Sequence, residues 1–160
     1  MKIRAYGLAI FLIVFLFGGI AVSQQLGWWK TTSTKVPVTI QSGDFAGQAD
    51  PMDIRGSYKF TDISDSFNIP LADLGSAFQL SESQAASFQV KELESIDFGD
   101  PGQDIGTGSI RMFVAFYIGM SPDQITLSDL PQSAITILIE KGNLSESART
   151  YLNNLKDNGE

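Results

Sequence analysis

The sequence predicts an all-α protein in which one N-terminal transmembrane helix precedes a compact domain of about six short helices. Three observations indicate this fold class. Residues 5–22 form an uncharged apolar run, the later apolar residues recur mostly at helical spacing, and Gly, Pro, Ser and Asp are concentrated between the helical segments. The predicted organisation is a membrane anchor over residues 1–29, an extended linker over 30–53 and an acidic helical domain over 54–160.

The apolar run over residues 5–22 is long enough for a membrane span, since charge-free runs of about 18 residues qualify. Lys2 and Arg4 precede it, and Trp28 and Trp29 follow it. Positive residues favour the cytoplasmic side and indoles favour the interface, so we expect these four side chains at the two membrane surfaces. The predicted location is the cell membrane, with a single pass, a cytoplasmic N-terminus and an extracytoplasmic C-terminal domain.

A cleaved signal peptide is the alternative to a retained anchor. Lys2 and Arg4 suit the charged start of a signal peptide, and Ala21 and Ser23 flank Val22 in a pattern of small residues that resembles a cleavage site. The apolar region of a signal peptide usually spans about 7 to 15 residues, which is shorter than this run. The length favours retention, and both interpretations export the same domain.

The predicted linker over residues 30–53 is rich in Thr, Ser, Gly, Gln and Pro. One alternating patch runs from Val36 to Ile40, and turn-forming residues interrupt the rest. We expect an extended segment that lies along the domain and uses four apolar contacts, Val36, Val38, Ile40 and Phe45. A short edge strand is the alternative, because Pro37 would confine a strand to an edge.

Apolar residues at helical spacing predict three segments in the first half of the domain: Phe60, Ile63 and Phe67; Leu71, Leu74 and Phe78; and Phe88, Val90, Leu93 and Ile96. Pro70 separates the first segment from the second, because proline disfavours helical geometry in the residue before it. Ser81 opens the third segment, which we expect to be one helix as far as Ile96.

A turn-rich stretch over residues 97–108 divides the domain. Residues 109–120 are apolar on every face, which predicts a buried central helix. Two further helices follow; the first contains Ile135, Leu138 and Ile139, and the second contains Ala148, Tyr151, Leu152 and Leu155. Gly142 is expected to stop the first of these helices.

The two halves of the domain are candidates for a duplicated helical module. Gly56–Phe60 aligns with Gly108–Met112, and a helical segment and then a proline follow each of them. Two copies are too few to establish a period.

The charge of the domain limits its partners. From Asp44 onward, seven basic residues stand against 18 acidic ones, which gives a net charge of −11. Nucleic acids are bound through Lys and Arg, so no nucleic-acid partner is expected. Basic proteins or cations suit this charge better, although solubility alone also explains it.

The chain contains neither Cys nor His. Disulfides, thiolate chemistry, cluster ligation and histidine-based catalysis or metal binding by this chain are therefore excluded. No cofactor is predicted, and the expected function is non-catalytic. A carboxylate hydrolase would need a pair such as Glu92 or Glu94 with Asp97 or Asp100.

Asp97, Asp100 and Asp104 are candidates for metal ligands. They lie in a loop that contains glycine, and oxygen-rich loops bind calcium. Their spacing does not match the EF-hand pattern, and a solvated turn explains the same residues.

Residues Gly106, Thr107, Gly108, Ser109 and Arg111 form a candidate anion site. Small residues at the start of a helix expose backbone N–H groups, and Arg111 adds a cation. The residues match neither the phosphate-loop nor the dinucleotide pattern. Helix capping by Thr107 or Ser109 is the alternative.

Arg55 and Tyr58 are candidate partner-binding residues, because Arg and Tyr are common interface anchors. The alternative is that Arg55 pairs with Asp53 and fastens the linker to the domain.

Two stretches resemble one small exported helical domain. The first, from Asp53 to Phe78, contains Asp-Ile-Arg-Gly-Ser-Tyr-Lys-Phe-Thr-Asp-Ile and Phe-Asn-Ile-Pro-Leu. The second, from Ile105 to Tyr117, reads Ile-Gly-Thr-Gly-Ser-Ile-Arg-Met-Phe-Val-Ala-Phe-Tyr. The domain is associated with bacterial membrane redox proteins, namely polytopic 4Fe-4S ferredoxin-type proteins related to periplasmic quinol-dehydrogenase components and small cytochrome b-like membrane proteins. The resemblance extends over most of the chain from Trp28 to Leu155.

This resemblance implies an accessory or assembly subunit that contacts the bilayer and an integral membrane protein partner, such as a redox or electron-transport complex. It transfers no catalytic residue to this chain. An extracytoplasmic solute- or cation-binding module that uses residues 97–108 is the alternative function.

Overall fold

The computed structural model describes Tyr6, Gly7 and residues 10–15, 17–19, 35–99 and 102–158. The chain divides into two compact units, Met1–Thr34 and Lys35–Glu160. The predicted all-α class is confirmed, because the described residues form helices and two isolated antiparallel bridges but no strand.

The α-helices within residues 35–99 and 102–158 are α1 Phe60–Phe67, α2 Leu71–Ala77, α3 Glu82–Ala85, α4 Thr107–Tyr117, α5 Gln132–Lys141 and α6 Glu146–Asn158. Short 3₁₀ helices lie at Pro51–Asp53, Val90–Ser95 and Pro122–Gln124.

Helix α4 forms the centre of the core, as its apolar sequence predicts. Ile110, Phe113 and Phe116 are completely buried. Phe78, which follows α2, meets Phe113 edge to face at a centroid distance of 5.6 Å and Phe60 of α1 at 5.8 Å. Edge-to-face pairs of this kind add about 0.5–1.5 kcal/mol beyond the burial of the rings. Aromatic packing therefore joins α1, the end of α2 and α4.

Three helices end in the same way, with a left-handed residue followed by a residue whose N–H bonds five positions back. The left-handed residues after α1, α2 and α4 are Asn68, Gln79 and Gly119. The bonds are Ile69 N to Ser64 O (3.2 Å), Leu80 N to Gly75 O (2.8 Å) and Met120 N to Ala115 O (2.9 Å). This arrangement satisfies carbonyls at the helix ends and turns the chain sharply.

The predicted duplication stays a prediction. Gly56–Phe60 lies almost entirely before α1, whereas the aligned residues Gly108–Met112 lie inside α4. The similar ends of α1 and α4 are common to α2 as well, so they do not distinguish a repeat.

The prediction of one helix from Ser81 to Ile96 was wrong. The backbone between α3 and the 3₁₀ helix pairs instead with the residues before α1, through the bonds Phe60 N to Phe88 O (3.1 Å) and Val90 N to Tyr58 O (2.9 Å). These bonds hold Gln89 opposite Lys59 in an antiparallel bridge. Backbone N–H and C=O groups that bond to residues 58–60 are not available for the hydrogen bonds of a helix. The helix therefore does not continue through this segment.

The second unit begins at Lys35, so the part of the predicted linker from residue 35 to 53 belongs to it. This segment turns back on itself through the bonds Ile40 N to Gln48 O and Asp50 N to Val38 O, both 2.8 Å. The expected contacts of Val36 and Val38 were wrong, because these side chains are 68% and 59% exposed, whereas Ile40 and Phe45 are half-buried. Pro37 between them is buried instead.

Tyr6, Gly7 and residues 10–15 and 17–19 are helical. No helix within the described part of the chain has both the length and the hydropathy to cross a bilayer. The predicted interface residues, which are Lys2, Arg4, Trp28 and Trp29, lie outside the described residues.

Candidate functional site

A cluster of polar side chains at the core is formed by Asp73 of α2, Tyr117 of α4 and Lys141 of α5. The Asp73 side chain is 8% exposed. Its Oδ2 accepts a hydrogen bond from the Tyr117 hydroxyl at 2.9 Å, and its Oδ1 lies 2.5 Å from the Lys141 ammonium nitrogen. Both carboxylate oxygens therefore have a donor, which a buried charge requires.

The Asp73 cluster also affects Tyr117. Burial, then the hydrogen bond to Asp73 and the charge of that carboxylate, raises the pKa of Tyr117 to about 12. The hydroxyl thus remains a donor throughout the neutral range. Since the three residues come from three helices, the cluster acts as a structural tie.

Two cavities adjoin each other at Gln103, in the turn-rich stretch before α4. The first, called the Tyr151 cavity, has a volume of about 220 Å³, and its lining includes Gln103, Ser128, Asp129, Ile135, Tyr151 and Leu155. The second, called the Asp97 cavity, has a volume of about 140 Å³, and its lining includes Glu94, Asp97, Phe98, Gln103, Asp104 and Ile105. Both cavities combine carboxylates with apolar side chains.

Asp129, in the loop before α5, bonds to the stretch before α4. Its Oδ2 accepts a hydrogen bond from the Asp104 backbone N–H at 2.9 Å. Burial and the nearby negative charge of Asp129 raise the pKa of Tyr151. A Cβ atom on Gly108 would lie 2.7 Å from Ser128 Oγ, so the absence of a side chain in the first turn of α4 allows Ser128 to approach.

Two of the three metal-ligand candidates, Asp97 and Asp104, lie within the described residues. The Asp97 carboxylate accepts a hydrogen bond from Gly99 N at 2.9 Å, as expected for a turn, and Asp104 lies in the same cavity lining. Asp100 lies outside the described residues. Among the residues that are described, no group of three or more Asp, Glu, His or Cys side chains is placed to hold a metal ion.

The anion-site candidates are used within the fold. Gly106 N donates to Ser109 Oγ at 3.1 Å, and Arg111 Nε donates to Ile54 O at 2.8 Å. Glu94 lies against Gly106, since a Cβ there would be 3.5 Å from its Oε1. Thr107 and Gly108 occupy the first turn of α4. A carboxylate at the start of α4 complements the helix dipole and would repel an added anion.

The partner-binding candidates separate in the structure. Tyr58 is 2% exposed, so its side chain belongs to the core, burial raises its pKa, and it is not presented to a partner. Arg55 is 62% exposed and pairs with Asp53 at 3.0 Å. Asp53 Oδ2 also accepts from Val38 N at 3.1 Å. These two bonds lower the pKa of Asp53, with the Val38 bond as the larger cause. The Val38 bond joins the two ends of residues 35–53, and the pair with Arg55 links Asp53 to the domain, which matches the alternative for Arg55.

Sequence reasoning missed the Asp73 cluster and the Tyr151 cavity. Tyr117 is 44 positions from Asp73, and Lys141 is 68 positions from it. No local pattern links residues at these separations. The cavity lining likewise combines Gln103, residues around Asp129 and residues of α6, which no local pattern joins.

Comparisons of the chain with protein-family models, with curated proteins and with solved structures give no match. The resemblance to the exported domain of membrane redox proteins therefore stays a prediction.

Proposed function

We propose that the chain is a non-catalytic, membrane-anchored accessory subunit that presents its acidic helical domain outside the cytoplasm to an integral membrane protein. The proposed class of partner is a redox or electron-transport complex, which rests on the sequence resemblance alone. The partner supplies any redox group, since this chain has no Cys or His to hold a cluster or a haem.

The observation that carries the proposal is the exposure of the apolar side chains in the N-terminal unit. Every large apolar residue described there is more than half exposed, for example Phe11 at 64% and Phe15 at 72%. A helix that is apolar on all sides is stable only when lipid or protein covers it. A contiguous exposed apolar surface marks an interaction site, and the charge-free run over residues 5–22 suits lipid.

The membrane anchor is tested by extraction of native membranes with alkaline carbonate. The wild-type chain should remain in the membrane pellet. The double substitution Ile13→Lys with Val14→Lys should release it, because each Lys at the centre of a span costs about 2.5–3.5 kcal/mol. The matched control, Ile13→Leu with Val14→Leu, should stay in the pellet. Release of the wild-type chain by carbonate alone would contradict the anchor.

The subunit assignment is tested by extraction with a mild detergent, native electrophoresis and mass spectrometry of the bands that contain the chain. Co-migration with a membrane protein in fixed ratio is expected. Migration of the intact chain alone would contradict an accessory role.

A second candidate function is an extracytoplasmic solute- or cation-binding module, which the Tyr151 cavity favours. Sites for drug-sized ligands usually measure about 300–1,000 Å³. At about 220 Å³, this cavity suits only a small organic group.

A further inference from the structure

We propose that the Tyr151 cavity receives a Lys or Arg side chain of the partner protein. This inference rests on the proposed function, because it names the contact through which an accessory subunit would hold its partner. Of the two residues that the sequence pointed to, Tyr58 lies in the core and Arg55 is exposed and pairs with Asp53.

The size of the cavity limits its occupant. About 220 Å³ is too little for a drug-sized ligand or a folded element. One extended side chain with a polar head is of the right order. Interface hot spots commonly consist of one such anchor that enters a pocket on the other protein.

The lining of the cavity matches the chemistry of Lys and Arg. Leu130 and Ile135 are 3% and 2% exposed and supply an apolar floor, to which Leu155 adds. Asp129 supplies a carboxylate, and Tyr151 supplies an aromatic ring. Lys and Arg bury an apolar stem and keep a charged head near polar groups. The stem would pack on the apolar floor, and the head would contact the Asp129 carboxylate and the Tyr151 ring.

The position of the carboxylate is fixed before any partner arrives. The Asp104 N–H holds Asp129 Oδ2 at 2.9 Å, which limits the motion of the Asp129 side chain. A charge that is already oriented binds a cation with a smaller loss of entropy than a freely rotating one. The residues described around the cavity include no Lys or Arg that would neutralise Asp129 in place of the partner.

The adjoining Asp97 cavity favours a protein segment over a free amine. It adds Glu94, Asp97 and Asp104 beside the first cavity, and no Lys or Arg appears in its described lining. A small amine engages one carboxylate at a time. A segment with two neighbouring basic residues engages both cavities, and the second contact is then intramolecular and costs less entropy.

The test is an NMR titration of the full-length chain in zwitterionic detergent micelles. The probe is the blocked peptide acetyl-Gly-Lys-Gly-Arg-Gly-amide, and the same peptide with norleucine at both basic positions is the neutral control. We expect binding at about millimolar concentration, with the largest amide shifts at Ser128, Asp129 and Tyr151. Binding should weaken about threefold between low salt and 0.5 M NaCl.

Two substitutions of equal charge separate the cavity from the general acidity of the domain. Asp129→Asn keeps an oxygen for the Asp104 N–H and should weaken peptide binding about five-fold, which corresponds to about 1 kcal/mol. Asp44→Asn removes an exposed carboxylate that lines neither cavity and should change binding less than two-fold. Unchanged amide spectra elsewhere would show that both variants are folded.

Four results would overturn the inference: no shifts at 20 mM peptide, equal binding of the norleucine peptide, equal weakening by Asp44→Asn, or equally tight binding of butylammonium. The last result would assign the cavity to a small solute. Because the titration needs no native partner, its failure beside preserved co-migration would reject the cavity and leave the proposed function standing. Migration of the chain alone would reject the proposed function, whatever the titration gives.

Discussion

The domain uses two carboxylates, Asp73 and Asp129, in opposite ways. Asp73 lies inside the helical core, where the Tyr117 hydroxyl and the Lys141 ammonium group occupy both of its oxygens. Asp129 is exposed at a cavity, where it accepts a backbone N–H from Asp104. A buried carboxylate must be neutralised by the fold, whereas an exposed one retains solvent as an alternative partner.

The difference separates a carboxylate that stabilises the fold from one to which we assign a binding role. Loss of a donor to Asp73 leaves a desolvated charge, so the free energy of unfolding falls. Loss of the Asp129 charge should alter what the cavity attracts, under the role that we propose for it, and should cost the fold little. The comparison therefore predicts a graded series, in which substitutions in the Asp73 cluster affect stability and substitutions at Asp129 affect binding.

The largest effect is expected for Lys141→Met. This change removes the cation and leaves the buried Asp73 charge with Tyr117 alone, which should lower the free energy of unfolding by about 2–3 kcal/mol. The value lies below the range of about 3–5 kcal/mol for a fully buried pair, because the Lys141 side chain is 48% exposed. Urea unfolding at pH 7 measures the change.

The control for Lys141→Met is the double variant Asp73→Asn with Lys141→Met. Its neutral amide no longer needs a cation, so it should recover about 1 kcal/mol relative to Lys141→Met alone. A double variant that is less stable than Lys141→Met would contradict the account of a desolvated charge.

Tyr117→Phe should have a smaller effect. It removes one hydrogen bond to a charged group and should cost about 1.5 kcal/mol at pH 7, measured by thermal or urea unfolding. Tyr151→Phe is the matched control, because it removes a hydroxyl at the cavity, and it should cost less. Equal losses in the two variants would remove the distinction between the cluster and the cavity.

The same substitution changes the response to alkaline pH. The pKa of Tyr117 is about 12 in the folded chain and near 10 when the chain unfolds. The stabilisation from its proton is therefore complete below pH 10 and is lost as the pH rises from 10 to 12. Wild type should lose more stability over this interval than Tyr117→Phe. Some loss should remain in the variant, since the pKa values of Tyr58 and Tyr151 are also raised.

The same contrast explains what the sequence could predict. The burial of α4 and the spacing of α1 and α2 follow from local patterns of apolar residues, and the structure agrees with them. The single helix expected up to Ile96 failed because its backbone pairs with residues before α1, a tertiary contact that periodicity does not contain. The Asp73 cluster joins three helices through one side chain each, so its members appear in the sequence as ordinary exposed polar residues.

The candidate site residues also depend on tertiary contacts that the sequence pattern does not contain. Arg55 and Tyr58 are close in sequence and looked equally available, yet one is exposed and the other is in the core. Tyr58 lies next to the bridge between Lys59 and Gln89, a tertiary pairing that the sequence spacing does not contain. The cavities require residues 94–98, 103–105, 128–135 and 151–155 to meet, and no spacing within the sequence indicates that they do.

The smallest effect on stability is expected at Asp129, and a pair of substitutions resolves it. Asp129→Asn keeps an acceptor for the Asp104 N–H and should change the free energy of unfolding by less than about 0.5 kcal/mol. Asp129→Ala removes the acceptor, but the N–H can then bond to water at this exposed site, so the loss should be about 0.5–1 kcal/mol. Urea unfolding of the two variants beside Lys141→Met makes the measurement. A loss above 2 kcal/mol for Asp129→Asn would mean that its charge holds the loop as Asp73 holds the helices, and the two carboxylates would then serve the same purpose. A loss below 0.5 kcal/mol together with weaker binding of the basic peptide would separate them, because the same charge would then matter to a ligand and not to the fold.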